Sequence, residues 1–168
     1  MLLDIVILAA GKGTRMRSSL PKVLHTIGGK PLLGHVLDAA KELESDNINI
    51  IVGHGSELVR ERMSGENVNF IEQKEQLGTG HAVQQVLGKL RDEATVLILY
   101  GDVPLTPIET LEELLEQVSE TAMGLLTVEL EDPDGYGRII RNSQGNAKAI
   151  VEQKDASKDQ LALNEVNS

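Results

Sequence analysis

Short apolar runs rich in β-branched residues alternate along the chain with stretches whose apolar positions recur every three to four residues. That alternation is the pattern of βαβ units, so the expected fold class is α/β with a mainly parallel sheet flanked by helices. The first strand is expected at Asp4–Ala9, and a loop rich in Gly, Lys and Arg follows it as far as Pro21. An amphipathic helix is expected over Pro31–Leu43, with Leu32, Leu33, Val36, Leu37 and Ala40 on one face. Ile48–Gly53 and Val68–Glu72 read as strands on either side of a short helix, Ser56–Met63. The flexible Gly78-Thr79-Gly80 opens a helix expected to reach Leu90, and Thr95–Tyr100 reads as the cleanest buried strand. Pro107 suits the first turn of a helix running to Val118. Ala122–Leu130 is a further strand, and Arg138–Arg141 with Ala147–Glu152 forms a hairpin around Gln144-Gly145-Asn146. Ligands of open α/β sheets bind beyond the carboxyl ends of the strands, which directs attention to the loops after Ala9 and Tyr100.

Composition narrows the partners. At 168 residues the chain is expected to be one domain. Phe70, Tyr100 and Tyr136 are the only aromatics, so no set of rings exists for stacking bases, and a net charge of −10 repels a phosphate backbone. Nucleic acid is therefore not an expected partner. The apolar run Ile5–Ala10 has no basic flank and falls far short of the ~20 residues of a membrane span. Without cysteine there is no disulfide, catalytic thiol or thiolate metal site, which suits a cytoplasmic protein.

Two loops carry candidate chemistry. Gly11-Lys12-Gly13-Thr14-Arg15 places two glycines and two cations at the end of a strand, where backbone N–H groups can converge on an anion. It lacks the Gly-Lys-Ser/Thr ending of a Walker A loop, and Met16 stands where a dinucleotide fingerprint has its third glycine. Lys12, Arg15, Arg17 and Lys22 make a basic patch in an acidic chain, which points to a small polyanion; a Gly-rich connector with solvated cations is the alternative. Asp102 follows the apolar run Val96–Tyr100 and Gly101, which puts a carboxylate at the same sheet edge. Mg²⁺ takes one or two carboxylates and completes its shell with water and substrate phosphates, so this aspartate could hold a metal–nucleotide or simply form a turn.

The residues Leu8–Met16, Leu20–His25, Gln76–Ala82, Tyr100–Leu105, Gly135–Arg138 and Ile150–Glu152 together resemble the pyrophosphorylase domain of the bifunctional N-acetylglucosamine-1-phosphate uridylyltransferase and glucosamine-1-phosphate acetyltransferase family, over the whole chain. The resemblance implies a Rossmann-like nucleotide-diphospho-sugar transferase fold. It also implies formation of UDP-N-acetylglucosamine and pyrophosphate from UTP and N-acetylglucosamine-1-phosphate, with Mg²⁺ as cofactor, for cell-envelope precursor synthesis. By the same resemblance Leu8, Ala9, Ala10 and Gly11 and the Gln73 side chain hold the uracil, and Gly78 and Thr79 complete the nucleotide pocket. Arg15 and Lys22 bind the triphosphate, Asp102 holds Mg²⁺, and Tyr100 and Gly101 border the nucleotide. Gly137, Glu152 and Asn167 contact the N-acetylglucosamine moiety. The family continues beyond Ser168 with more sheet, a second metal-binding asparagine and a β-helical acetyltransferase domain through which the whole protein is expected to be a homotrimer. Residues 1–168 are accordingly expected to be a uridylyltransferase domain incomplete at its C-terminus, competent in UTP binding and weakened in turnover.

The chemistry fits the residues at hand. A sugar phosphate is largely a dianion at neutral pH, since its second pKa is about 6, so it attacks the α-phosphorus without a general base. Charge neutralisation and alignment are what the reaction needs. His25, His35, His54 and His81 are then expected to be structural or surface residues rather than acids, bases or metal ligands. The alternatives are a relative acting on another nucleotide or sugar phosphate, or a nucleotide-binding module without turnover.

Overall fold

The computed structural model describes residues 1–11, 13 and 16–167, and the chain divides into two units, Met1–Leu115 and Glu116–Ser168. In the first, β1 (Leu3–Ala9) is apolar at nearly every position and is covered on both faces, with Ile5, Val6 and Ile7 fully buried. A strand buried on both sides is what a parallel sheet needs at its centre. β1 lies between β4 (Asn47–Val52) and β6 (Thr95–Tyr100), with β5 (Asn69–Glu72) beyond β4, and every neighbouring pair is parallel. A short hairpin of β2 (Thr26–Ile27) and β3 (Lys30–Pro31) leads into α1 (Leu32–Glu42).

Period decides which face each helix covers. The 3.6-residue repeat of α1 turns Leu33, Val36, Leu37 and Ala40 onto the Ile5, Ile7 and Ala9 side of the sheet, where α2 (Ser56–Arg62) adds Val59. Leu114 and Leu115 of α4 (Ile108–Glu116) pack on the same cluster. The other face, Val6, Ala10 and Ile51, is covered by Ala82 of α3 (Thr79–Gln84) and by Val86. The expected helix to Leu90 stops at Gln84. Val86 and Lys89 donate to the carbonyls three residues earlier, so the chain tightens into a 3-10 turn at Leu87–Lys89 around Gly88, a residue that costs an α-helix about 1 kcal/mol.

β6 also differs from expectation. Its boundaries are those expected, but only Leu97 is buried, whereas Val96, Ile98 and Tyr100 are 37%, 43% and 37% exposed. The reason is position: among the described residues β6 is the outer strand of this sheet, paired with β1, and lacks the neighbour on its far side that β1 has.

The second unit is an antiparallel sheet of β7 (Thr127–Glu129), β8 (Arg138–Arg141), β9 (Ala147–Val151) and β10 (Glu165–Asn167), in the order β7-β10-β8-β9. The expected β8–β9 hairpin is present. Asn142 Oδ1 accepts the backbone N–H groups of Gln144 and Asn146, and Gly145 supplies the left-handed residue at φ 85° that closes the turn. The strand expected over Ala122–Leu130 shrinks to β7, because only Thr127–Glu129 finds β10 as a partner. Ser157 and Gln160 form a capping box that starts α5 (Lys158–Leu161). Arg141 donates to both oxygens of Glu165, at 2.5 and 2.7 Å, and the Thr127 hydroxyl donates to Oε1 at 2.7 Å. The Arg141 hydrogen bonds and then that of Thr127 outweigh burial and hold the Glu165 carboxyl down at about 2.

Candidate functional site

The carboxyl edge of the parallel sheet gathers most of the residues singled out in the first unit. β1 ends at Ala9, with Leu8 opposite Tyr100 and Ala9 opposite Val52. Ala10 is buried and Gly11 exposed, so the chain emerges from the core at this point. The Gly101 N–H donates to Leu8 O at 2.9 Å, which prolongs the β1–β6 ladder and delivers Asp102 to the strand end. On the other side Gln73 N–H donates to Val52 O at 2.8 Å, so Gln73 prolongs β5 along the same edge.

Lys22 and Asp102, eighty residues apart, meet here. Lys22 begins a 3-10 turn whose next residues, Val23 and Leu24, are buried in the core, so the turn is anchored while the lysine stays partly exposed. Its Nζ donates to Asp102 Oδ2 at 2.5 Å, with the side chains 41% and 26% exposed. Gly13 lies against this lysine: its φ is +55°, and a Cβ there would come within 2.9 Å of Lys22 Cβ. Glycine therefore lets the loop pass close to the base of the Lys22 side chain. Of that loop's other expected anion-binding residues, Lys12 and Arg15 lie outside the described residues.

A single partly exposed carboxylate is a hard oxygen donor of the kind Mg²⁺ uses when phosphates and water fill its remaining positions. Among the described residues no group of three or more His, Cys, Asp or Glu could form an all-protein metal cage. The donor set thus suits a metal that arrives with its nucleotide.

Gln73 is not a solvated loop amide: it is 4% exposed. Its Nε2 lies 3.1 Å from Gly78 O and 3.0 Å from His81 Nδ1. Carbonyl oxygen accepts only, so the amide nitrogen has to face Gly78, and the Gln73 amide is not free to flip. Gly78, at φ +104°, and Thr79 follow as the exposed entrance to α3; Gly78 occupies the N-cap position and Thr79 is the first helical residue. The spacing of Gln73 and His81 gave no sign of this contact, because it needs the turn at Gly78 to bring the chain back.

The amino edge of the same sheet carries a different constellation. Asp4 is fully buried; its Oδ2 accepts the Arg91 backbone N–H at 2.7 Å and its Oδ1 the Arg91 Nε–H at 2.6 Å. Arg91 also donates to Asp46 Oδ1 and Leu3 O, both at 2.7 Å. Burial by itself raises the Asp4 pKa, but the Arg91 N–H, the Asn47 side chain and the Arg91 guanidinium together bring it below the ordinary aspartate value.

In the second unit Gly137 and Asn167 are neighbours: a Cβ on Gly137 would stand 2.9 Å from Asn167 Oδ1 and 3.0 Å from Ile150 Cγ2. Asn167 Oδ1 is buried without a hydrogen-bond partner. Glu152 follows β9 and is exposed.

Residues 5–143 match the MobA-like NTP transferase domain family. The chain is 62% identical over 167 residues to bifunctional protein GlmU of Saccharophagus degradans, a match covering 99% of this chain and 37% of that protein. It is 60% identical over 167 residues to bifunctional protein GlmU of Cellvibrio japonicus, with the same shares covered. The chain thus spans 37% of the length of these relatives. Among solved structures, HddC from Yersinia pseudotuberculosis has the same fold, with a TM-score of 0.75 and 22% identity over 98% of this chain and 73% of that one. No helix among the described residues is long and apolar enough to cross a membrane. A parallel sheet that presents its chemistry at the carboxyl edge, and a sequence match over most of the chain, lead to one family: the chain belongs to the MobA-like NTP transferase domain family.

Proposed function

We propose that this chain is the uridylyltransferase part of a sugar-phosphate nucleotidyltransferase, joining UTP and N-acetylglucosamine-1-phosphate into UDP-N-acetylglucosamine with release of pyrophosphate. The observation that carries the reading is the Lys22–Asp102 pair at the carboxyl edge of the parallel sheet. An ammonium and a carboxylate in contact, neither fully buried, can separate when a polyanion and its counter-cation arrive, and each then has a new partner. The 62% identity to a GlmU protein supports a sugar-phosphate nucleotidyltransferase.

In this reading Lys22, with Arg15, binds the triphosphate, and Leu8 to Gly11, Gln73, Gly78 and Thr79 hold the uridine while Tyr100 and Gly101 border it. A phosphate oxygen of the sugar phosphate forms a bond to the α-phosphorus of UTP as the bond to the bridging oxygen of the β-phosphate breaks, and that oxygen leaves on pyrophosphate. No proton has to be removed, because the attacking phosphate is largely a dianion above its pKa of about 6. Asp102 would hold Mg²⁺, which when bound supplies positive charge against the phosphates. Lys22 aligns the anions, and alignment matters because a misplacement of about 1 Å can cost on the order of 10²-fold in rate. Gly137, Glu152 and Asn167 are proposed for the sugar. The unpaired buried oxygen of Asn167 supports this, since such an atom normally finds a donor and a sugar hydroxyl or acetamide N–H supplies one.

Calorimetric titration with UTP in Mg²⁺, beside an assay of pyrophosphate release, tests the proposal. Saturable UTP binding is expected, with pyrophosphate release that requires N-acetylglucosamine-1-phosphate. No UTP binding overturns the reading, and release that is indifferent to the sugar phosphate overturns the assignment of the second substrate.

A further inference from the structure

We propose that His81 is a positioning residue that locks the Gln73 amide with its oxygen toward the base, and so makes the site selective for uracil over cytosine; the proposal rests on Gln73 being the base-contacting residue. The geometry points to a chain of forced choices. Gly78 O can only accept, so Gln73 turns its nitrogen to it, at 3.1 Å. The second hydrogen on that nitrogen points to His81 Nδ1 at 3.0 Å, which must then carry a lone pair, and the neutral ring holds its proton on Nε2.

A competitor exists on the other side of the ring. The Gln85 amide nitrogen lies 3.1 Å from His81 Nε2 and also 3.1 Å from His81 O. A neutral imidazole has one lone pair for two amide donors. Gln73 is buried and Gln85 exposed, so water can satisfy Gln85, or its carbonyl oxygen can accept from Nε2–H, whereas a hydrogen of Gln73 without an acceptor would stay unpaired in the interior. The buried glutamine therefore takes the lone pair.

With both hydrogens of Gln73 engaged, Oε1 remains, with no hydrogen-bond partner among the described residues, and it only accepts. Uracil offers N3–H to such an oxygen. Cytosine offers a lone pair at N3, and two acceptors repel. Without His81 the amide loses one of its two anchors, and rotation toward an amide-in orientation that suits cytosine costs less.

The test measures dissociation constants for UTP and CTP in Mg²⁺ by calorimetry, with melting curves, for the wild-type chain, His81→Leu, His81→Asn and Gln73→Ala. Asparagine can place Oδ1 near the position of Nδ1 and so keep an acceptor for Gln73. Expected are a UTP preference reduced about tenfold in His81→Leu, a preference within about twofold of wild type in His81→Asn, and loss of preference in Gln73→Ala. Wild-type preference in His81→Leu while Gln73→Ala has lost it overturns the role of His81. Equal loss in His81→Asn and His81→Leu also overturns it, since the acceptor would then be irrelevant. Wild-type preference in Gln73→Ala instead overturns the assignment of Gln73 to the base.

Discussion

The two ends of the parallel sheet each hold an aspartate against a cation, and they are built to opposite purposes. At the amino edge Asp4 is inaccessible, both of its oxygens accept from Arg91, and Arg91 also donates to Asp46 and Leu3. Both oxygens of the buried carboxylate are thus engaged within the fold. At the carboxyl edge Asp102 and Lys22 share one contact and keep 26% and 41% of their side chains exposed. Saturation marks a pair that holds the fold, and unused bonding capacity at an accessible edge marks a pair available for chemistry.

The comparison can be broken first at the open end. Asp102→Asn keeps the shape and removes the charge, so pyrophosphate release should fall by on the order of 10²–10³-fold and need more Mg²⁺, with a melting temperature close to wild type. A variant that keeps its rate at limiting Mg²⁺ would make Asp102 a second Asp4. At the closed end the signs reverse: Asp4→Ala strips the partner from Arg91 and should cost about 3 kcal/mol in denaturant unfolding while leaving UTP affinity unchanged. Loss of UTP affinity without loss of stability would sink the contrast.

Glu165 sharpens the distinction in the second unit. Its folded pKa of about 2 lies below the ordinary 4.5, so it contributes stability above about pH 4.5 that is lost as pH falls toward 2. Glu165→Gln should lower stability at neutral pH by about 1 kcal/mol and flatten this part of the acid-unfolding profile. An unchanged acid profile would show that the Arg141 contact adds nothing.

What the sequence could reveal depended on how local its cause was. β1, α1, β4 and the β8–β9 hairpin follow from runs of apolar residues, a 3.6-residue repeat and a turn built on Asn142 and Gly145, all of which lie within a few positions of one another. The meeting of Lys22 and Asp102 was legible too, because parallel strands send their carboxyl ends to one edge. The exposure of β6 was not, since an apolar run reads the same at the centre of a sheet and at its rim. Nor was the orientation of Gln73: a free amide would have left uracil recognition to the backbone near Ala10, whereas Gly78 and His81 hold it by contacts that arise only after the chain has turned.

The rim position of β6 bears on how the protein behaves in the test tube. Its outer backbone groups and the part-exposed Val96, Ile98 and Tyr100 form an apolar edge of the type that recruits further strands. A net charge of −10 keeps copies apart near neutral pH, and that protection fades as carboxylates protonate or as salt screens them. Dilute, low-salt solutions at neutral or mildly alkaline pH are therefore expected to keep this chain dispersed.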